Sequence, residues 1–197
     1  MMMQKSMVRT YATWDPANKA ANVSLSGGGL VASIATTGTQ ASCVAATVGK
    51  SSGLWYWEET MTSAAGLYGM SGLARAGSAI ASLPYPGAEA SLLSLGYYGG
   101  DGGLYYNSTG PNASLGTYVS GDVLGFTLDA AAGTCKIYKN NVLKGTTPAL
   151  GGSGLIYPAT GGAGGTQTIS KTANFGATAF AYPSRPATDG ANAGLWV

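Results

Sequence analysis

The stretch that decides the fold is Gly121-Asp-Val-Leu-Gly-Phe-Thr-Leu-Asp129, followed shortly by Thr134-Cys-Lys-Ile-Tyr-Lys-Asn-Asn141. In the first segment apolar residues recur at every second position from Leu124 to Leu128, as in a β-strand with one buried face. The second segment ends in Asn140-Asn141, and asparagine tolerates the positive φ angles of a tight hairpin turn. The two segments therefore predict antiparallel β-structure.

The chain from Trp14 onward repeats this pattern. Short runs of apolar, aromatic and β-branched residues alternate with turn signals such as Gly27–Gly29. No segment keeps a helical period of 3.6 over three turns, so one turn near Ile80–Leu83 is the only helix that we predict. We expect an all-β domain of sandwich or barrel type over residues 14–197, preceded by an N-terminal arm over residues 1–13.

The composition excludes several classes of function. The 197 residues include no histidine, which removes the commonest general base, the commonest zinc ligand and the usual serine and cysteine triads. A net charge of +2 without any Lys/Arg cluster argues against a nucleic-acid partner. Only 9% of the residues are charged, which is common in proteins that live packed in an assembly. We predict no cofactor and no metal.

Two cysteines and the N-terminus add little chemistry. Cys43 and Cys135 have apolar neighbours and are interpreted as buried free thiols, although a disulfide between them stays open. They are too few for a tetrahedral zinc site. Residues 1–8 lack the apolar core of a signal peptide, and no window is long enough to span a membrane, so we predict no membrane insertion.

Catalysis by paired carboxylates is poorly supported by the eight acidic residues. Glu58-Glu59 would point to opposite faces of a strand, and Asp122 and Asp129 are better explained as turn residues. Asp101 with Glu89 is the least unfavourable pair. The sequence therefore predicts a protein without enzymatic activity.

Several motifs in a fixed order resemble one known family. These motifs are Gly49-Lys-Ser-Ser-Gly-Leu-Trp-Tyr-Trp-Glu58, Leu67-Tyr-Gly-Met-Ser-Gly-Leu-Ala74, the Gly121–Asp129 run with Ile137-Tyr-Lys-Asn140, Leu155-Ile-Tyr-Pro-Ala159 and Ala173-Asn-Phe-Gly176. In this order they resemble SPRY domains, and the resemblance covers about Trp14 to Gly176. The Gly/Ala/Ser-rich style and the tail Phe180-Ala-Tyr-Pro183 leading to Asn192-Ala-Gly-Leu195 look most like SPRY domains of bacteriophage virion proteins.

The resemblance implies a bent, concanavalin-like β-sandwich of two antiparallel sheets and a recognition surface built from loops. Two positions depart from the family pattern. Asn141 replaces the usual glycine but can hold the same left-handed turn. Glu59 replaces an apolar residue, so it is either a solvated side chain at a sheet edge or a buried carboxylate that meets a Lys or Arg or lines an interface.

Tyrosines gather in one part of the sequence, interleaved with glycines. Their rings suit sugar or protein recognition, and the glycines let a ligand approach the backbone. The alternative is that half of these tyrosines belong to the core. The predicted ligand-binding set is Tyr85, Tyr97, Tyr98, Asp101, Tyr105 and Tyr106.

The predicted arm is the second candidate contact region. Lys5 and Arg9 are its charged residues, and short arms often become ordered on a partner. The first functional hypothesis is a structural and recognition protein of a bacteriophage particle, located in the virion as a decoration, fibre or spike component. Its partners would be other virion proteins. The alternative is a free-standing module that binds a host-surface glycan or protein, and a homo-oligomer such as a trimer stays open.

Overall fold

The computed structural model describes residues 10–63, 68–191 and 196–197. In these residues short 3-10 turns lie at Gly27–Gly29, Ile80–Ser82 and Ala90–Leu92, and one α-helix, α1, spans Arg185–Asp189. The strands in chain order are β1 (Trp14–Lys19), β2 (Val23–Ser26), β3 (Val31–Thr37), β4 (Val44–Ala46), β5 (Leu54–Met61), β6 (Gly69–Arg75), β7 (Ser94–Tyr98), β8 (Gly103–Tyr106), β9 (Thr109–Ser114), β10 (Val123–Asp129), β11 (Thr134–Lys139), β12 (Val142–Thr146), β13 (Ile156–Gly162) and β14 (Thr166–Asn174).

The strands form two seven-stranded sheets that enclose one main core. The first sheet has the order β1-β4-β13-β6-β7-β8-β9, and the second has the order β12-β11-β10-β5-β14-β3-β2. Neighbouring strands in both sheets pair antiparallel, for example β10 with β5 and β13 with β6. The predicted all-β sandwich of two antiparallel sheets is therefore confirmed.

The stretch that opened the sequence analysis lies in the middle of the second sheet. Leu124, Phe126 and Leu128 of β10 are fully buried, and the strand pairs with β5 on one side and β11 on the other. Asn140 and Asn141 have φ angles of 49° and 65°, as the predicted hairpin turn requires. The alternation of apolar residues correctly identified the face that turns inward.

Aromatic side chains fill the space between the sheets. Trp57 stacks on Phe126 with 4.8 Å between the ring centroids and 11° between the planes. Trp196 lies edge-on to Trp57 at 5.5 Å, and its indole N–H donates to the Tyr56 carbonyl over 3.0 Å. The penultimate residue of the chain thus completes a core that strands far away in sequence begin.

Two elements escaped the sequence prediction. β9 contains Gly110-Pro111, which reads as a turn, but the strand lies at the edge of the first sheet, where proline needs no hydrogen-bonded neighbour on its open side. Helix α1 has five residues, too few for any helical period to show. The predicted helical turn near Ile80 is present as a 3-10 turn.

Residues 1–9, including Lys5 and Arg9, lie outside the described residues. Within the rest of the predicted arm, Ala12 is fully buried and its N–H donates to the Trp196 carbonyl over 2.6 Å. Both cysteines are buried and free, as interpreted from the sequence. Cys43 belongs to a small apolar cluster outside the main core, whereas Cys135 belongs to the main core.

Candidate functional site

A segment over residues 76–93, here called the crossing segment, runs over the outer face of the first sheet. Its residues Ile80 and Leu83 belong to a small apolar cluster outside the main core. Pro86 lies so close to β7 that a Cβ on Gly96 would come within 2.6 Å of the Pro86 carbonyl oxygen. Glycine at position 96 therefore lets the crossing segment lie flat on the sheet.

Beside the crossing segment, three tyrosines surround a pocket of about 230 Å³, here called the tyrosine pocket. Tyr85 comes from the crossing segment, Tyr98 from the end of β7 and Tyr105 from β8. The Tyr105 ring lies 6.0 Å from Tyr85 at 77° and 5.9 Å from Tyr98 at 86°. These edge-to-face contacts hold three rings at steep angles around one concave surface.

Three residues from two other segments complete the tyrosine pocket. Met70 of β6, Ala163 and Gly164 line it, the latter two from the turn between β13 and β14. Ala163 and Gly164 belong to the glycine-rich stretch over residues 151–165, which the sequence analysis did not include in the predicted site. Because β6, β7 and β13 become neighbours only in the folded sheet, no local pattern indicated this contribution.

Asp101 is hydrogen-bonded to one tyrosine of the pocket. One of its carboxylate oxygens accepts a hydrogen bond from the Gly103 N–H over 2.7 Å, and the other accepts the hydroxyl of Tyr105. Burial, together with the bond to Asp101 and its charge, raises the pKa of Tyr105 to about 12. The phenol therefore keeps its proton at neutral pH and donates it in a hydrogen bond to Asp101.

The structure corrects two members of the predicted set. Tyr97 is fully buried, where its ring lies 4.8 Å from that of Tyr118. Tyr106 packs against the main core from β8. Because side chains alternate along a strand, Tyr97 and Tyr106 point inward while Tyr98 and Tyr105 point outward. The structure thus brings together Tyr85, Tyr98, Asp101 and Tyr105, and their role in binding stays a prediction.

The outer face of the second sheet has a different cover, the C-terminal segment over residues 177–191. Glu58 of β5 accepts hydrogen bonds from the N–H groups of Ala181 and Tyr182 over 2.7 and 3.0 Å, and from the Tyr56 hydroxyl over 2.9 Å. Phe180 packs edge-on against Tyr56 at 4.9 Å. The chain itself therefore occupies much of this face.

Helix α1 continues this cover. Asp189 accepts the hydroxyls of Thr127 and Tyr138 over 2.6 and 2.7 Å, and it pairs with Lys136 at 3.4 Å. Burial tends to raise the pKa of Asp189, but these hydrogen bonds and the Lys136 charge outweigh it, so the pKa lies below its ordinary value. A concavity of about 270 Å³ beside Asp189 is lined mostly by polar residues.

Glu59 proves to be a buried, paired carboxylate. It is 1% exposed, and its Oε2 lies 3.9 Å from the Lys171 ammonium on neighbouring β14. Ser71 of the opposite sheet donates to Glu59 over 2.8 Å and accepts from Lys171 over 2.8 Å. Thr160, also of the first sheet, accepts from Lys171 over 2.8 Å. The interpretation of Glu59 as partner of a Lys or Arg is confirmed.

Burial governs the ionisation of this pair. It raises the pKa of Glu59, and the positive charge of Lys171 and the hydrogen bond from Ser71 work against that rise. Burial likewise lowers the pKa of Lys171 to about 8, against the attraction of Glu59. The pair joins the two sheets through a polar bridge and is closed to ligands.

The remaining acidic residues have structural partners. Asp122 accepts from the Val119 N–H over 2.8 Å, and Asp129 accepts from the Ala132 N–H over 3.0 Å, so both are turn residues as predicted. Glu89 binds the Ser78 hydroxyl and the Ala79 N–H, away from the bonds of Asp101.

The described residues show neither a cluster of metal ligands nor a membrane-spanning helix. In that part of the chain, no three His, Cys, Asp or Glu side chains come together as metal ligands would. Over the same ranges, no helix has the length and apolar character needed to cross a membrane.

Comparison with known proteins identifies the family. The model of the SPRY domain matches residues 54–177, more than half of the chain. The chain belongs to the SPRY domain family. SPRY domains are protein–protein binding modules and are generally non-catalytic. The match begins at β5 and ends just after β14, so it includes the tyrosine pocket and both partners of the buried pair.

Solved structures show the same fold at low sequence identity. The SPRY domain of human HERC1 superposes with a TM-score of 0.64 at 19% identity, covering 81% of this chain and 96% of that one. The PSpry domain of TRIM65 gives 0.59 at 19% identity, covering 84% and 92%. Stonustoxin gives 0.58 at 20% identity, covering 84% of this chain and 27% of that one. No curated protein sequence matches significantly.

Proposed function

We propose that this SPRY domain is a non-enzymatic recognition module that binds a protein partner through the tyrosine pocket. The observation that carries the proposal is the convergence of Tyr85, Tyr98 and Tyr105 from three separate segments around one concavity. All three side chains are half-buried, so their rings are fixed by neighbours while part of each surface meets solvent. Rigid aromatic residues of this kind supply contact area at little cost in conformational entropy.

A selection experiment tests this function without knowledge of the natural partner. A library of random displayed peptides is selected on the immobilised protein, and the affinities of the recovered peptides are measured by calorimetry. We expect Tyr105→Ala and Tyr98→Ala to weaken binding at least tenfold, because replacing an aromatic anchor by alanine commonly costs about 2 kcal/mol of binding free energy.

The matched control is Tyr182→Ala, which removes a half-buried tyrosine from the segment that covers the other sheet. It is expected to bind the same peptides as the unaltered protein does. Peptide binding that is indifferent to Tyr98 and Tyr105 would overturn the proposed function. Sugar binding on a glycan array that depends on Tyr105, with no selected peptide, would instead favour the alternative of a glycan receptor.

We further propose that the chain is a component of a bacteriophage particle. Support comes from the low charged fraction of 9%, the 32 glycines and the resemblance of the sequence to SPRY domains of virion proteins. The comparisons with known proteins do not bear on this setting. Mass spectrometry of purified particles tests it, with a constant number of copies per particle as the expected result. Absence of the chain from the particles would leave the free-standing recognition module.

A further inference from the structure

We infer that the tyrosine pocket receives a cationic side chain, a lysine or an arginine, from the protein partner. The inference rests on the proposed function and narrows it to one chemistry. Its first basis is the pocket itself, where three tyrosine rings surround the concavity and one carboxylate, Asp101, accepts the hydroxyl of Tyr105. The faces of aromatic rings carry partial negative charge and attract cations within about 6 Å.

The second basis is a counterpart elsewhere in the same molecule. On the second sheet the Tyr138 hydroxyl donates to Asp189 over 2.7 Å, which is the same tyrosine–carboxylate pair as Tyr105 with Asp101. There the guanidinium of Arg185 lies over the Tyr138 ring, 4.4 Å from its centroid, and 3.9 Å from Asp189. The chain thus shows how a cation fits such a pair.

Among the described residues, no cation contacts the rings of the tyrosine pocket. In this part of the chain, the cation–ring contacts are those of Lys50 and Arg185, and none of the ion pairs includes Asp101. The rings of the pocket and the neighbouring Asp101 carboxylate therefore lack a cation from the described residues. A positively charged group from a partner complements both features.

The lining also fits the stem of such a side chain. Met70 and Ala163 are apolar and lie next to the rings, where they can contact the methylenes of lysine or arginine. A pocket of about 230 Å³ has room for one side-chain head group rather than for a folded segment. The geometry therefore favours a single cationic anchor on an otherwise variable partner.

The test uses the peptides recovered in the selection described above. Each arginine in a recovered peptide is replaced by citrulline, which is similar in shape and uncharged, and each lysine by norleucine. We expect one such replacement to weaken binding about tenfold, as expected for loss of a desolvated cation–aromatic contact with a neighbouring carboxylate.

A variant of the protein supplies the reciprocal measurement. Asp101→Asn should weaken the original peptides severalfold and should not change the affinity of their neutral versions. Glu89→Gln is the matched control, because Glu89 is a carboxylate of the crossing segment that binds Ser78 and Ala79 instead of a pocket residue. This control should bind all the peptides as the unaltered protein does.

The outcomes separate the inference from the function on which it rests. Peptides that need Tyr105 and lose affinity when one positive charge is removed support both. Peptides that need Tyr105 but keep their affinity with citrulline or norleucine at every position overturn the cation inference and leave the proposed function intact. Peptides that do not need Tyr105, or selection that recovers none, overturn both.

Discussion

The outer faces of the two sheets carry the same kinds of side chain but differ in what covers them. On the second sheet, Tyr56 and Tyr138 meet Phe180, Arg185 and Asp189 of the C-terminal segment. On the first sheet, Tyr98 and Tyr105 meet each other, Tyr85 and Asp101 around an open pocket. Residues 177–191 cover much of one face, whereas on the other face the described residues leave the tyrosine pocket open.

This difference teaches that tyrosines do not by themselves mark a binding surface. We expect a tyrosine on a sheet face to serve stability where the chain supplies its neighbour and to serve the proposed recognition where the described residues leave it exposed. Removing a contact from the covered face should therefore cost folding free energy, whereas removing one from the open face should mainly cost binding. Four substitution experiments test this contrast, beginning with the interior that both faces share.

The largest effect is expected from Lys171→Met, which leaves the Glu59 carboxylate buried without its cation. Such a change should lower the free energy of unfolding by about 3–5 kcal/mol. Urea denaturation followed by tryptophan fluorescence measures it. Because the pair bridges the sheets, both outer faces should lose protection against hydrogen exchange equally.

The double variant Glu59→Leu/Lys171→Met is the control, since it removes both buried charges together. It should recover most of the lost stability, because a buried ion pair contributes little beyond its own desolvation cost. If Lys171→Met lowers the free energy of unfolding by less than about 1 kcal/mol, the buried pair is not needed to stabilise either sheet.

The second effect concerns the covered face. Glu58→Ala removes the acceptor of two backbone N–H groups and one hydroxyl, so we expect a loss of about 2 kcal/mol in the free energy of unfolding. Hydrogen exchange at Ala181 and Tyr182 should accelerate. Glu89→Ala on the crossing segment is the counterpart on the open face, and an equal loss there would break the contrast.

A third, smaller effect comes from removing one hydroxyl on each face. Tyr138→Phe should cost about 1 kcal/mol, because Asp189 loses a hydrogen bond that the protein shields from water. Tyr105→Phe should lower the free energy of unfolding by only about 0.3 kcal/mol, because water reaches Asp101 and can replace the hydroxyl. Thermal unfolding measures both variants, and a larger shift for Tyr105→Phe would contradict the assignment of the open face.

The smallest effect is a dependence on acid. The pKa of Asp189 lies below its ordinary value of 3.8, so its contribution to stability is complete above that pH and is lost as the pH falls through the lower, folded-state value. The loss of stability is measured as the shift of the urea unfolding midpoint between about pH 6 and about pH 2. Asp189→Asn should be less stable at neutral pH and should lose less on acidification. If the unaltered protein and Asp189→Asn lose stability equally on acidification, Asp189 does not stabilise the covered face through its charge.

Much of the scaffold could be predicted from sequence because strand burial is a local signal. The alternation in Gly121–Asp129 and the asparagines of the following turn fixed one hairpin, and the ordered motifs around it indicated the SPRY sandwich. Strand β9 was missed because Gly110-Pro111 is ordinarily a turn signal, and only its place at a sheet edge makes it a strand.

The candidate site was predictable only in part. Three of the six proposed binding residues line one pocket and Asp101 is hydrogen-bonded to one of these three, but Tyr97 and Tyr106 point into the core. In pairs such as Tyr97-Tyr98 the alternation says that the two side chains face opposite ways and does not say which one faces inward. Which of the two side chains faces inward depends on where the second sheet packs. The residues near the pair do not determine that position.

The sequence by itself determined the all-β class, the family and the absence of histidine chemistry. Strand periodicity, motif order and composition are properties of the linear chain. Tertiary structure decided the fate of Glu59, which needs Lys171 from a strand 112 positions later, and it decided which sheet face stays open. Both depend on which distant segments meet. Residues 177–191 fold back over the second sheet and so become part of the fold. The described residues leave the tyrosine pocket uncovered, and it is there that we propose recognition.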